Sequence, residues 1–150
     1  MGGISSPYFT YNGVKKMKVQ DAIERANEMR AGNSASDELK MKWLSEIDHI
    51  IYNDVVKTHQ ITDEHLEKYR NNKFEEYNDG FSELIAEAPY DVLYVYWLMA
   101  QIDLKVTELN KYNNSLMLFK EALKDYKAWY NRTHMPNTKL QIRLAIDGGV

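Results

Sequence analysis

Nine consecutive apolar residues, Val92-Leu93-Tyr94-Val95-Tyr96-Trp97-Leu98-Met99-Ala100, constrain this chain more than any other feature. On a helix such a run is apolar on every side, so it has no face to offer water and must be wrapped by other elements. It is far shorter than the roughly 20 residues a membrane-spanning helix needs, so it belongs to the centre of a protein core and no membrane partner is expected. Pro89 suits a first helical turn, where its missing N–H costs nothing, and Asp91 places negative charge at the helix's positive end. The spacing predicts a helix from Pro89 through Ile102 and Leu104 to about Leu109.

The rest of the chain supplies amphipathic wrapping. Only three prolines and seven glycines occur in 150 residues, too few for an array of short strands with a turn every several positions. Val19, Ala22, Ile23, Ala26 and Met29 follow one helical stripe over Lys18–Arg30, with Gly32 as the stop. Ser34 or Ser36 can cap a second helix, whose stripe is Leu39, Trp43, Leu44, Ile47, Ile50, Ile51 and Val55, ending near Thr58. A last helix carries Tyr112, Leu116, Phe119, Leu123, Tyr126 and Tyr130 at alternating spacings of four and three, with Asn113-Asn114-Ser115 read as the joint before it. Residues 59–88 read as a long connection containing one or two helical turns, opened by Thr62-Asp63-Glu64-His65. The expected fold is all-α, a small bundle of about four main helices. An extended arm, residues 1–16, precedes the helical domain of residues 17–136, and a tail, residues 137–150, follows it. In that tail Leu140, Ile142 and Leu144 alternate with polar or small residues as a short strand does.

Chemistry is sparse. With no cysteine, thiolate zinc sites, disulfides and thiol nucleophiles are excluded. No charged-then-apolar leader opens the sequence, so the expectation is against secretion. No nucleophile elbow, phosphate loop or dinucleotide fingerprint occurs. Glu46 and His49 have the Glu-x-x-His spacing of di-iron bundles, but none of the other three histidines has a glutamate three positions earlier, so a surface pair is the plainer meaning. His59 and His65 flank Asp63, yet six residues apart in an irregular stretch they fix no metal geometry. Carboxylate pairs such as Glu75-Glu76 and Glu83/Glu87 suggest no closed pocket that would raise a pKa. The basic and aromatic series Lys124, Tyr126, Lys127, Trp129, Tyr130 and Arg132 invites a base-stacking reading, but Tyr126 and Tyr130 belong to the helical seam. The expectation is a non-enzyme with no cofactor and no metal.

Charge layout says more than the net charge of −3. Residues 75–104 hold seven acids (Glu75, Glu76, Asp79, Glu83, Glu87, Asp91, Asp103) and no lysine or arginine, whereas both ends are basic. Acidic middle and basic ends attract each other within one chain or between neighbouring copies, and head-to-tail contacts of the second kind close into rings.

Several strings resemble a known family: Trp43-Leu44-Ser45-Glu46-Ile47-Asp48; Ala88-Pro89-Tyr90-Asp91 followed by Tyr94, Trp97-Leu98 and Gln101-Ile102-Asp103; Tyr112-Asn113-Asn114-Ser115; and Tyr130-Asn131-Arg132-Thr133-His134-Met135-Pro136. In that order they resemble small structural proteins encoded among the head and neck genes of tailed bacteriophages and prophages of Gram-positive hosts, over roughly residues 17–136. The resemblance implies a head–tail connector, also called an adaptor or head-completion protein. Such proteins are made in the host cytoplasm and carried in the virion neck. They form a ring, commonly of about twelve copies, beneath the portal protein and above a tail-side stopper. They extend a channel through which DNA passes without sequence-specific binding. On this reading Glu75, Glu76, Asp79 and Glu83 are candidates to face the channel. Tyr8, Phe9, Tyr11, Arg132, His134, Leu140, Ile142 and Arg143 are candidates to contact neighbouring subunits or partners. The alternatives are a non-viral interaction module that dimerises through the Tyr112–Tyr130 seam, and a metal enzyme built on Glu46 and His49.

Overall fold

The structure, a computed structural model, describes residues 16–71 and 73–137. The arm candidates Tyr8, Phe9 and Tyr11 and the tail candidates Leu140, Ile142 and Arg143 lie outside the described residues. Four α-helices are present among those described: α1 (Val19–Met29), α2 (Asp37–Asp54), α3 (Val92–Lys105) and α4 (Leu109–Thr133). Short 3-10 helices occur at Val56–Thr58 and Glu64–Tyr69. The fold is all-α, as the periodicity predicts.

α3 is the central helix, packed against α4, α1 and α2. Its Leu93, Tyr94, Leu98 and Ala100 have no exposed surface, as a run without a polar face demands. α4 lays its predicted seam on this core, burying Phe119, Tyr126 and Tyr130. Ser36 is the serine that caps α2, its hydroxyl accepting from the Leu39 amide at 3.1 Å. Asp21 does the corresponding work on α1, accepting from the Lys18 amide at 3.0 Å. Gly32 follows α1 at φ +76°, a conformation that costs glycine little.

Several boundaries differ from expectation. α3 begins after Asp91, with Pro89 in the turn before it, and ends at Lys105 rather than Leu109. The α3–α4 joint is Val106-Thr107-Glu108, where Thr107 takes a positive φ of 55°. Asn113-Asn114-Ser115 therefore lies inside α4. Asparagine and serine are indifferent helix formers, but here tertiary bonding overrides propensity. Ser115 is buried, donates to Asp103 Oδ2 at 2.9 Å and accepts from Arg30 Nη2 at 3.2 Å. Arg30 also meets Asp103 through two bonds, at 2.7 and 3.0 Å, tying the end of α1 to α3 and α4. Met29 and Ile50, both placed on apolar stripes by spacing, are exposed, because each helix buries a narrower face than its stripe suggests.

Candidate functional site

Residues 73–88 form a strap of non-helical chain across the α1 and α2 side of the bundle, and a single buried carboxylate fixes it. Asp48 of α2 has no exposed surface. It accepts hydrogen bonds from the Tyr77 hydroxyl, from the Tyr94 hydroxyl at 2.5 Å and from the Ile85 amide at 3.0 Å. The Tyr94 oxygen in turn accepts from the Ala86 amide at 2.7 Å, and Ser45 Oγ accepts from the Tyr77 amide at 2.9 Å. Burial pushes the Asp48 carboxyl up to about 6, with the three donors pulling the other way. Burial, reinforced by the Asp48 charge, holds Tyr77 and Tyr94 well above the ordinary tyrosine range.

The strap's middle pairs with the chain entering α1. Val19 donates to Ser82 at 2.9 Å, Gln20 to Gly80 at 3.0 Å and Leu84 to Met17 at 2.8 Å, around an isolated antiparallel bridge between Lys18 and Glu83. The approach is close enough that a Cβ on Gly80 would stand 3.1 Å from the Gln20 Cβ. The other end of the described chain is held similarly. Gln60 donates to Met135 at 2.8 Å and Asn137 to Thr58 at 3.1 Å, flanking a bridge between His59 and Pro136.

Where these two ends come together, ionisable groups gather. His134 Nε2 lies 2.8 Å from Asp63 Oδ2, and because a carboxylate only accepts, that nitrogen carries the hydrogen. The His134 ring stacks on Tyr130 with centroids 3.7 Å apart. Lys16 Nζ lies 3.8 Å from Glu87 Oε2. His65 Nε2 meets the Ile85 carbonyl at 3.3 Å. Burial first, then the Lys16 charge, holds His65 below its usual value, and burial raises Glu87. Asp63, His65 and Glu87 each offer a donor atom within 4.8 Å of the others.

The positions singled out by sequence divide. Glu75, Glu76 and Asp79 are exposed on the strap, with Glu75 3.1 Å from Lys73 and Asp79 accepting from the Phe81 and Ser82 amides to hold a turn. Glu83 is half-buried at the bridge with Lys18. Arg132 is exposed near the end of α4, whereas His134 is turned inward against Asp63 and Tyr130. Glu46 and His49 are both exposed, and the His49 ring stacks on Phe74 of the strap at 5.1 Å. Two readings are corrected. Asp63 and His65 are brought together with Glu87 of the strap, whereas His59 stays apart with its Nδ1 2.8 Å from the Val55 carbonyl, and the acidic stretch does contain a carboxyl raised by burial, Glu87. Asp48 was missed, though one signal was present: an aspartate four residues after Leu44 and three before Ile51, on the buried stripe of α2.

Large apolar side chains remain on the surface at one end of the helical hairpin. Leu104, Val106 and Leu109 surround the α3–α4 joint, and Met117 and Leu118 continue along α4, with Met117 64% exposed. A shallow groove of about 400 Å³ on α4 is lined by Asn113, Leu116, Met117, Lys120, Glu121 and Lys124. Phe81, at the turn of the strap, is the most exposed large apolar residue among those described, at 73%. Comparison with models of protein families, with curated proteins and with solved structures finds no match to this chain.

Proposed function

We propose that this chain is a structural subunit of a tailed-phage neck, assembling as an adaptor ring that joins the portal and capsid to the tail and extends the DNA channel. One observation carries the assembly part of this reading. Of the nine large apolar residues exposed among those described, five, Leu104, Val106, Leu109, Met117 and Leu118, fall within the α3–α4 hairpin. Single exposed apolar residues are ordinary, but several gathered on one helical hairpin supply the apolar area that a protein–protein contact needs. The family strings noted in the sequence supply the neck part. The proposed partners are copies of the chain itself, the portal protein and a tail-side stopper. Glu75, Glu76 and Asp79 are assigned to the channel, where exposed acids keep passing DNA from sticking.

The dimer alternative needs the Tyr112–Tyr130 seam as a subunit interface, yet Phe119, Tyr126 and Tyr130 are buried inside the protomer. The enzyme alternative needs Glu46 and His49 at a closed centre, and both side chains are exposed. Sedimentation velocity on Leu109→Glu combined with Met117→Glu tests the assembly surface. The large species is expected to vanish while the helical circular dichroism persists; assembly identical to the unmodified chain would remove this surface from the interface.

A further inference from the structure

We propose that Asp63, His65 and Glu87 bind a divalent first-row transition-metal cation, of the zinc or manganese class, at the point where both ends of the described chain are anchored. This goes beyond the neck reading and does not depend on it. The three donors come from two parts of the chain. Asp63 precedes the 3-10 helix Glu64–Tyr69, His65 lies within it, and Glu87 stands near the end of the strap. All three are half-buried, and one ligand atom from each lies within 4.8 Å of the other two. Two carboxylate oxygens and one imidazole nitrogen suit zinc or manganese, whereas calcium and magnesium prefer oxygen alone.

The surroundings prepare two of the donors. The Ile85 carbonyl can only accept, so His65 Nε2, 3.3 Å from it, carries the hydrogen and leaves Nδ1 with the free lone pair. A backbone carbonyl behind the ring is the usual support of a metal-bound histidine. Asp63 is held through Oδ2 by His134 at 2.8 Å, which leaves its other oxygen for a cation.

A second observation, independent of these bonds, points into the same place. Tyr130 is 1% exposed, and its hydroxyl has no hydrogen-bond partner among the described residues. After burial, the charges that act on it are those of Asp63 and Glu87. Buried hydroxyls are nearly always paired, so an orphan under the influence of two carboxylates leaves room for a further polar group. A cation with three protein ligands carries a water in its fourth position, and that water is a suitable partner for the Tyr130 hydroxyl.

The competing group is Lys16. Its ammonium stands 3.8 Å from Glu87, too far for a hydrogen bond, and its charge also bears on His65. His134, Glu83 and the tyrosines Tyr126 and Tyr130 are the other ionisable groups that bear on the cluster. A divalent cation would displace Lys16 as the counter-charge of Glu87. Binding would join the 3-10 helix to the strap beside Lys16 and His134, where both ends of the described chain are anchored.

The test is isothermal titration of the full chain, stripped with a chelator, using zinc chloride and manganese chloride, with calcium and magnesium chlorides as controls. One equivalent per chain is expected for zinc or manganese, with a rise in the thermal midpoint. Glu87→Gln and His65→Ala should each weaken binding at least about tenfold. Lys16→Met should tighten it, and His49→Ala, at an exposed histidine far along α2, should leave it unchanged. Cobalt(II) absorption of the unmodified chain gives a readout that needs no variant: the expected result is a ligand-field band of a low-coordinate site. No binding at millimolar metal, binding that survives both Glu87→Gln and His65→Ala, or binding lost in His49→Ala would overturn the proposal.

Discussion

Asp48 carries three donors on one carboxylate, two of them from buried residues, and its removal leaves all three without that partner. Leaving a buried donor unpaired costs about 1–3 kcal/mol each, so Asp48→Ala is expected to destabilise the chain by about 3–5 kcal/mol in urea unfolding. The pH dependence has a definite sign. The folded carboxyl, raised from 3.8 to about 6, binds its proton more tightly than the unfolded one. Stability from this group is therefore fully present below the unfolded value and is lost as pH rises through about 6. Asp48→Asn removes that titration. Relative to Asp48→Asn, the unmodified chain should gain about 1.5 kcal/mol on going from pH 8 to pH 5. A stability difference between the two proteins that stays constant with pH would show that Asp48 titrates as an ordinary carboxyl. The partners Tyr77 and Tyr94 provide a smaller check, since Tyr77→Phe removes one donor and should cost about 1 kcal/mol.

Among the elements, the α3–α4 hairpin follows most directly from sequence and departs from it at the start of α3 and at the joint. The unbroken apolar run and the Phe119–Tyr126–Tyr130 seam dictate two helices lying on each other. The joint was legible only in part, because Asn113-Asn114-Ser115 looks like a breaker and is held helical by Arg30 and Asp103, residues distant in sequence. Nothing local announces Thr107 as the turn. A β-branched residue at φ 55° is strained, so Thr107→Gly should raise stability by about 0.5–1 kcal/mol even though glycine loosens the unfolded chain. A fall in stability would mean that the Thr107 side chain does more than occupy the turn. Phe119→Ala, in the seam against Trp97 at 4.9 Å, should cost about 3–5 kcal/mol by leaving a cavity between the helices. The strap was the least legible element. Its path depends on Asp48, on Tyr94 and on pairing with residues 17–20, none of which periodicity within residues 59–88 can reveal. For the same reason the meeting of Asp63, His65 and Glu87 was hidden, since 24 positions separate Asp63 from Glu87 and only the strap closes that distance.

At the scale of the whole molecule, an acidic strap lies over α1 and α2, while the exposed apolar residues Leu109, Met117 and Leu118 lie along α4. Contact surfaces on different parts of one protomer make heterologous contacts, and heterologous contacts close into rings when the rotation allows. If the strap faces a DNA channel, the combined change Glu75→Lys, Glu76→Lys and Asp79→Lys should create DNA binding that weakens steeply with salt. An unchanged absence of binding in gel-shift assays would place those acids elsewhere. The most direct measurement of the ring is native mass spectrometry of the full chain over a concentration series. The neck reading predicts a closed species near twelve copies that persists on dilution. A monomer or a dimer at every concentration would contradict it.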